Sequence, residues 1–311
     1  MREENEIQTI SRQRNLVVIQ RNPTSGSGRG RRQVYRLLCE LRRVGFEVRL
    51  YHDRNRFSHF VHRPEVADRL RCLVAAGGDG TISSVVQRHP EHPIAVLPLG
   101  TENLVSKHLG LNSNAVELAT VIQEGRFLSF DTGLANSFRF LLMASVGLDA
   151  EIVRLLALRR SGNISHLSYF WPIFTAFRKY RFPELQVLNA QGDLIATGSH
   201  VLVSNMPEYG MKIPFCPDAN PHDGLLDVRI FQPSGMFRTA AHLIRTRLGF
   251  KDSARQLVRF QAPMVTLKSN DFAAPVQADG DPCGTGTVIF RVADEKMRLL
   301  VPKDFRVRHP E

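Results

Sequence analysis

The run Gly77-Gly78-Asp79-Gly80-Thr81 follows an apolar stretch and opens a helical one. Glycines let a backbone close on an anion, and free N–H groups at a helix N-terminus point at it. Asp79 suits a turn, a Mg2+ ion or a ribose; Thr81 suits an N-cap or a phosphate. Read alone, the segment is also a tight strand–helix corner. Two more glycine loops shift the balance toward a phosphate: Asn22-Pro23-Thr24-Ser25-Gly26-Ser27-Gly28 after the first apolar strand, and Pro98-Leu99-Gly100-Thr101-Glu102-Asn103 after the fourth. In an open parallel sheet the loops at the carboxyl ends of the strands share one edge, where ligands bind. Three such loops predict a convergent nucleotide-phosphate site, although neither GxxxxGK[ST] nor a post-strand GxGxxG is present.

A second polar constellation lies late in the chain. Asp279-Gly280-Asp281-Pro282 places two carboxylates around one glycine, a set that suits a general base and a metal contact. An Asp-Gly hairpin turn is the plainer alternative. Pro221-His222-Asp223-Gly224-Leu225-Leu226-Asp227 reads as a turn feeding a strand. With no HExxH, zinc hydrolysis has no support.

The elements that must position these residues fall into two textures. Strands are expected at Asn15–Gln20, Phe46–Tyr51, Arg71–Ala76 and Pro93–Leu97. Helices are expected over Arg31–Val44, within Ser58–Leu70, over Ile82–Arg88 and over Asn114–Gln123. Strand alternating with helix implies a mostly parallel sheet covered on both faces. After about Asp131 the strand-like runs Phe138–Ser145, His200–Asn205, Leu225–Phe231, Met264–Lys268 and Thr287–Val292 are separated by Gly/Pro/Asn/Asp turns. They predict a largely antiparallel β domain, interrupted by helical insertions at Ala150–Arg181 and Met236–Leu248. The expected fold class is an α/β nucleotide-binding domain with a parallel sheet (1–131) followed by an antiparallel β-sandwich (132–297). The pattern leaves open which domain a last strand, within 298–311, joins.

Composition narrows the partner. The 311 residues carry 41 Lys+Arg against 30 Asp+Glu, a net charge of +11, and are 43% hydrophobic, which excludes a disordered chain. No run of 18 apolar residues suggests a membrane span, and Met1–Arg14 has no apolar core of a secretory signal. Four scattered cysteines make no disulfide framework, so a reduced, cytoplasmic protein is expected. The excess base points to an anionic partner. No zinc finger or RRM signature favours nucleic acid. Aromatics beside a basic cluster at His166–Arg181, and the arginines of Met236–Leu248, suit peripheral attachment to an anionic membrane face.

Taken together, NPTSGSG, AAGGDGT, PLGTEN, FDTGLAN, MASVGLDAEIV, CPDANPHDGLLDVRIF and ADGDP resemble, in order, the diacylglycerol kinase catalytic-domain family. That family includes bacterial lipid kinases, sphingosine kinases and ceramide kinases. The resemblance implies a two-domain ATP- and Mg2+-dependent lipid kinase with its active site in the cleft between domains. It implies that Asn22, Ser25, Gly26, Gly78, Asp79, Gly80, Thr81, Gly100, Thr101 and Asn103 bind the nucleotide. Asp279 would take the proton from the lipid hydroxyl, with Asp281 beside it where the family more often has Glu. Asp223, with carbonyls near Asn220 and Leu225, would hold a structural Mg2+. Many bacterial members read GTGNDFAR where this chain has Gly100-Thr101-Glu102-Asn103-Leu104-Val105-Ser106-Lys107, so Leu104 replaces an Asp and Glu102 a Gly. An NAD kinase-like enzyme and a non-catalytic nucleotide- or lipid-binding relative are the alternatives. The acceptor lipid and the oligomeric state stay open.

Overall fold

A computed structural model describes residues 6–23, 28–158, 175–176, 180, 182–208, 215–232, 257–269 and 274–307. Most of the two expected helical insertions, together with Ser25 and Gly26, lie outside these residues. The described residues form two compact units, one from Met1–Phe130 with Glu295–Arg308, the other from Asp131–Asp294.

The first unit contains β1 (Gln8–Thr9), β2 (Leu16–Arg21), α1 (Gly28–Arg43), β3 (Glu47–Tyr51), α2 (Arg54–Val61), α3 (Pro64–Ala67), β4 (Leu70–Gly77), α4 (Asp79–Arg88), β5 (Pro93–Pro98), α5 (Leu104–His108), α6 (Ala115–Glu124) and β6 (Arg126–Phe130). The second contains β7 (Gly133–Ala135), β8 (Phe138–Phe140), β9 (Met143–Val146), α7 (Leu148–Leu158), β10 (Leu185–Leu188), β11 (Leu194–Gly198), β12 (His200–Ser204), β13 (Leu226–Phe231), β14 (Leu257–Ala262), β15 (Met264–Ser269), β16 (Pro275–Ala278), β17 (Asp281–Thr285) and β18 (Val288–Val292). The last strand, β19 (Met297–Leu300), belongs to the first unit.

The first sheet has the order β1-β6-β19-β5-β4-β2-β3. β3, β2, β4, β5 and β19 run parallel, whereas β6 and β1 are antiparallel additions at one edge. Every residue of β4 is buried, which is why its sequence shows no alternation. The chain leaves β2 for β3 on one side and then crosses back to β4 on the other. That reversal is where an open α/β sheet forms its ligand crevice.

Arg71 inside β4 is fully buried, a position that demands hydrogen bonds for its charge. It donates to the carbonyls of Ile122, Gln123, Ile10 and Ser11 at 2.7–3.0 Å, closing the end of α6 and tying down the N-terminal segment. Gly125, at φ 66, ends α6 where any Cβ would strike that guanidinium.

Local departures from the sequence reading have identifiable causes. The expected helix within Ser58–Leu70 is two helices. Asp53 caps α2 by accepting from the Arg56 N–H at 2.8 Å, and Pro64 starts a separate turn, α3. The expected strand Phe138–Ser145 is split between two sheets as β8 and β9. The break at Leu141–Leu142 turns backbone N–H groups toward Asp279.

The second unit is a sandwich of two antiparallel sheets, β11-β10-β15-β18-β7-β8 and β14-β13-β12-β9-β16-β17. Phe140, Val187, Leu267 and Phe290 of the first interdigitate with Val146, Val203, Val228 and Val276 of the second in one core. Among the described residues no helix is long and apolar enough to cross a membrane.

A buried histidine cluster makes the first unit acid-sensitive. His89 ends α4 with no exposed surface, and its Nε2 lies 3.0 Å from Ser58 Oγ. Its ring centroid is 5.5 Å from that of Phe57 and 4.9 Å from that of His62. Burial, followed by the nearby His62, His92 and Arg88, lowers its pKa from 6.5 to about 4. The unfolded chain therefore binds this proton more readily than the folded one. The stabilisation is complete above pH 6.5 and is lost as pH falls toward 4, by up to ~3 kcal/mol. Urea midpoints should fall steeply between pH 6.5 and 4.5 in the native protein. The His89→Gln variant should show a flatter profile; equal slopes would refute the assignment.

Candidate active site

The glycine loops of the first unit sit where β4 and β5 end. Gly78 is the N-cap of α4, and its carbonyl accepts from the Thr81 N–H at 2.8 Å. The β4–β5 pairing continues into the loops, with Leu99 N–H donating to Gly77 C=O at 2.8 Å. The two backbones then come so close that a Cβ on Gly100 would lie 2.5 Å from Gly78 Cα and 2.9 Å from Asn103 Oδ1. Only glycine fits this approach. Asn103 holds the second loop: it sits in the left-handed region at φ 50, accepts from Gly100 N–H at 2.8 Å and donates to Gly100 C=O at 2.9 Å.

Asp79 has a structural task beyond the roles expected of it. Its carboxylate accepts from the Val105 N–H at 3.1 Å and so caps α5, which Asn103 does not. Burial raises its pKa, opposed by the Leu104 and Val105 N–H groups. One loop thus orients the other through a charge at a helix N-terminus. The Thr81 hydroxyl is buried against Gly77 with no hydrogen-bond partner, an orphan that a ligand oxygen would satisfy. Gly80 is open, with nothing within 4 Å of its Cβ direction. Asn22 closes β2, donating its N–H to Ala76 C=O at 3.2 Å beside the same sheet edge. Thr101 is exposed in the second loop. Glu102 faces Lys107 at 3.5 Å, and Leu104 simply begins α5.

In the second unit Asp279 and Gly280 are the turn of the β16–β17 hairpin, with φ of 49 and 82. The hairpin and the chemical readings of this motif are therefore compatible. Asp279 Oδ2 accepts from Leu141 N–H at 2.7 Å, and Oδ1 accepts from Leu142 and Met143 N–H at 2.9 and 3.1 Å. Its own N–H donates to Met143 C=O at 2.9 Å. Asp281 opens β17 instead of lying in a loop, opposite Ala278. Cys283 reports both carboxylates: burial first, then Asp279 and Asp281, push its thiol to about 12.

Asp223 accepts from Leu225 N–H at 2.9 Å, which shapes the turn into β13. Burial raises its pKa, and the Asp227 and Asp131 carboxylates raise it further. Such an excess of negative charge is the environment a cation would relieve. Among the described residues no group of three or more His, Cys, Asp or Glu side chains is placed to hold a metal. The expected set, Asp223 with the Asn220 and Leu225 carbonyls, uses one carboxylate and relies on backbone oxygens.

Several supporting residues were not singled out from the sequence. Asp131, almost fully buried, accepts from Gly224 N–H at 2.9 Å and donates its own N–H to Pro221 C=O at 2.7 Å. The Asn205 amide donates to Asp131 C=O at 2.9 Å and to Leu141 C=O at 2.7 Å, linking the Asp223 turn to the segment that holds Asp279. Ser145, Asp149 and Gln277 make a further buried network under Gly280. The available signals were the polar residues inside FDTG, MASVGLDAEIV, VSN and VQADGD, each interrupting an apolar run.

The first unit is an α/β sheet with closely packed glycine loops at its carboxyl edge, and the second is a β-sandwich bearing a fixed carboxylate turn. The diacylglycerol kinase catalytic domain profile matches residues 15–135, and the YegS C-terminal NAD kinase beta sandwich-like domain profile matches residues 143–301. The chain belongs to the diacylglycerol kinase catalytic-domain family of lipid kinases. It is 24% identical over 296 residues to the diacylglycerol kinase of Staphylococcus carnosus, covering 92% of this chain and 94% of that one. It is 28% identical over 246 residues to a "probable lipid kinase YegS-like" of Pseudomonas putida, covering 74% and 77%. The crystal structure of a diacylglycerol kinase from Bacillus anthracis shares the fold at TM-score 0.71 and 20% identity, over 94% of this chain and 99% of that one. An NAD kinase from Archaeoglobus fulgidus, solved in complex with ATP, shares it at TM-score 0.54 and 15% identity, over 93% and 94%.

Proposed function

We propose that this lipid kinase transfers the γ-phosphoryl group of ATP, with Mg2+, to a hydroxyl of a diacylglycerol-like, phospholipid or sphingoid lipid. The observation that carries the reading is the closure of the Gly77–Thr81 and Pro98–Asn103 loops onto each other at the carboxyl edge of a parallel sheet. A backbone cradle with an orphaned Thr81 hydroxyl fits phosphate oxygens, and Gly78, Gly80, Thr81 and Gly100, with Asn22, Ser25, Gly26, Thr101 and Asn103, would hold them. Mg2+, if held here, would supply neutralisation of the negative charge developing on the transferring phosphoryl group. Asp79 and Asp281 are the carboxylates offered to that metal, and Asp223 to a structural one. Kinases complete a Mg2+ shell with phosphates and waters, so a cage of three protein carboxylates is not needed.

A lipid hydroxyl is a weak nucleophile, and Asp279 is the group proposed to accept its proton as the oxygen attacks phosphorus. Its carboxylate accepts from the backbone N–H groups of Leu141, Leu142 and Met143, which fix its orientation in the turn. The reading requires the glycine loops and Asp279 to act on the same pair of substrates.

The surface charge supports work at an anionic bilayer from the cytoplasmic side. α1 buries Val34, Leu37 and Leu41 and exposes Arg31, Arg32, Arg36, Arg42 and Arg43 around an exposed Tyr35. Each arginine near an anionic surface contributes about 1 kcal/mol.

Purified protein with Mg-ATP and mixed vesicles carrying diacylglycerol, phosphatidylglycerol or sphingosine is expected to label one lipid. Chelating Mg2+ should stop the reaction. Rates should fall when anionic lipid is replaced by phosphatidylcholine or when salt is raised. Labelling of NAD but of no lipid would overturn the reading in favour of an NAD kinase-like enzyme, and ATP binding without turnover in favour of a non-catalytic relative.

A further inference from the structure

β16 and β9 pair so that Gln277 faces Ser145 directly. Their neighbours Val276, Ala278, Ala144 and Val146 point into the sandwich core, so Gln277 and Ser145 point to the opposite face of the sheet. Both are at most 1% exposed. An apolar pair would bury more cheaply there, since polar groups out of water cost free energy unless every one is hydrogen-bonded. Here the bonds are made. The Ser145 hydroxyl donates to Asp149 Oδ1, in the first turn of α7, through a short contact. The Gln277 amide nitrogen lies 3.0 Å from Ser145 Oγ, 3.4 Å from Asp149 Oδ2 and 3.1 Å from Met143 Sδ. Its oxygen accepts from Gly280 N–H at 2.9 Å.

These bonds have one consistent polarity. Ser145 spends its only proton on Asp149, so its oxygen must accept from Gln277. The amide then has its oxygen toward Gly280, which has only a donor to offer. Gly280 is the second residue of the turn that carries Asp279. The backbone N–H groups of Leu141–Met143 grip the Asp279 carboxylate on one side, and Gln277 grips the turn from the other.

We infer that Gln277, oriented by Asp149 through Ser145, is a positioning residue that fixes the Asp279 turn. The inference rests on the reading of Asp279 as the general base. Gln277 touches no reacting atom: it converts the charge of Asp149 into a fixed orientation of the amide and, through the Gly280 N–H, of the base.

Two measurements test it. The first needs no activity: amide hydrogen exchange over the β16–β17 turn. Gln277→Met removes the acceptor for Gly280 and should speed exchange there about 10-fold or more. Gln277→Glu combined with Asp149→Asn keeps an acceptor without setting two carboxylates together and should not. Unchanged exchange in Gln277→Met overturns the inference, whether or not any lipid is phosphorylated. The second is kinetic. Displacing a catalytic group by up to about 1 Å costs roughly 10- to 100-fold in rate. Gln277→Met should therefore lower kcat by that factor, with KM for ATP within about twofold and the melting temperature close to native. Gln277→Glu sets a second carboxylate against Asp149 and should also lose kcat. Gln277→Glu combined with Asp149→Asn exchanges donor and acceptor and should regain at least about 5-fold over Gln277→Glu alone. Loss of kcat in step with the fraction unfolded, or no recovery in the double variant, would mean that the network only stabilises the fold. A native protein inactive on every lipid would instead sink the kinase reading, leaving the exchange result to decide the role of Gln277.

Discussion

Replacing Asp279 by Asn is expected to lower kcat about 1,000-fold, with KM for ATP nearly unchanged. General-base catalysis contributes ~100- to 10,000-fold, and an amide cannot accept the hydroxyl proton. Asn is the informative substitution because of what the turn demands. Asp279 sits at φ 49, which Asn tolerates and Ala does not. An Asn Oδ1 can still accept from Leu142 and Met143, whereas its amide nitrogen faces the Leu141 N–H, donor against donor. One lost bond of that kind costs about 1–3 kcal/mol. Ala would leave all three N–H groups without their acceptor and would confound chemistry with unfolding. The check is steady-state kinetics beside a denaturation curve. A folded Asp279→Asn protein with more than a tenth of native kcat would remove Asp279 from the catalytic role.

The second large effect is expected at Gly100. A Cβ there would lie 2.5 Å from Gly78 Cα and 3.3 Å from Gly78 N, both backbone atoms that no rotamer change can move. Gly100→Ala must therefore part the two loops and strain the Gly100 N–H bond to Asn103. Overpacking of this kind costs about 1–3 kcal/mol. Because the loops themselves are the proposed phosphate cradle, KM for ATP should rise at least ~10-fold, and binding of a fluorescent ATP analogue should weaken in parallel. Gly30→Ala, inside α1, is the matched control: its nearest neighbour would be the Leu99 side chain at 3.6 Å, an ordinary van der Waals contact. Native nucleotide affinity in Gly100→Ala would show that the closure of these loops serves only packing.

Both effects trace to residues visible in the sequence but to contacts that are not. Gly78, Gly100 and Asp279 stood out because glycine runs and an Asp-Gly-Asp triplet interrupt apolar strands. The closeness of Gly78 to Gly100 depends on β4 and β5 being adjacent, parallel and in one register, and residue types do not state a register. The same holds for Asp79: its role as the cap of α5 exists only because the two loops are neighbours.

The residues missed are instructive in the same way. Gln277 lies two positions before Asp279 in Pro275–Ala278, a run outside the expected strands that the structure makes β16. Its importance comes from Ser145, 132 positions away, placed opposite it by sheet pairing. Asn205 and Asp131 connect segments 74 positions apart. Local pattern carries burial and period, and long-range hydrogen bonds have neither.

By itself the sequence determined the alternation of strands and helices, the change of texture after Asp131, the glycine loops and the ordered motifs of the family, because each follows from periodicity, backbone freedom or a short motif. Tertiary structure alone decided the rest. It split Phe138–Ser145 between two sheets so that Leu141–Met143 could grip Asp279. It also sent β19 back to the first sheet, between β5 and β6. Strand-forming residues such as Met297–Leu300 bury equally well in either unit, and only the open edge of a neighbouring strand settles which one takes them.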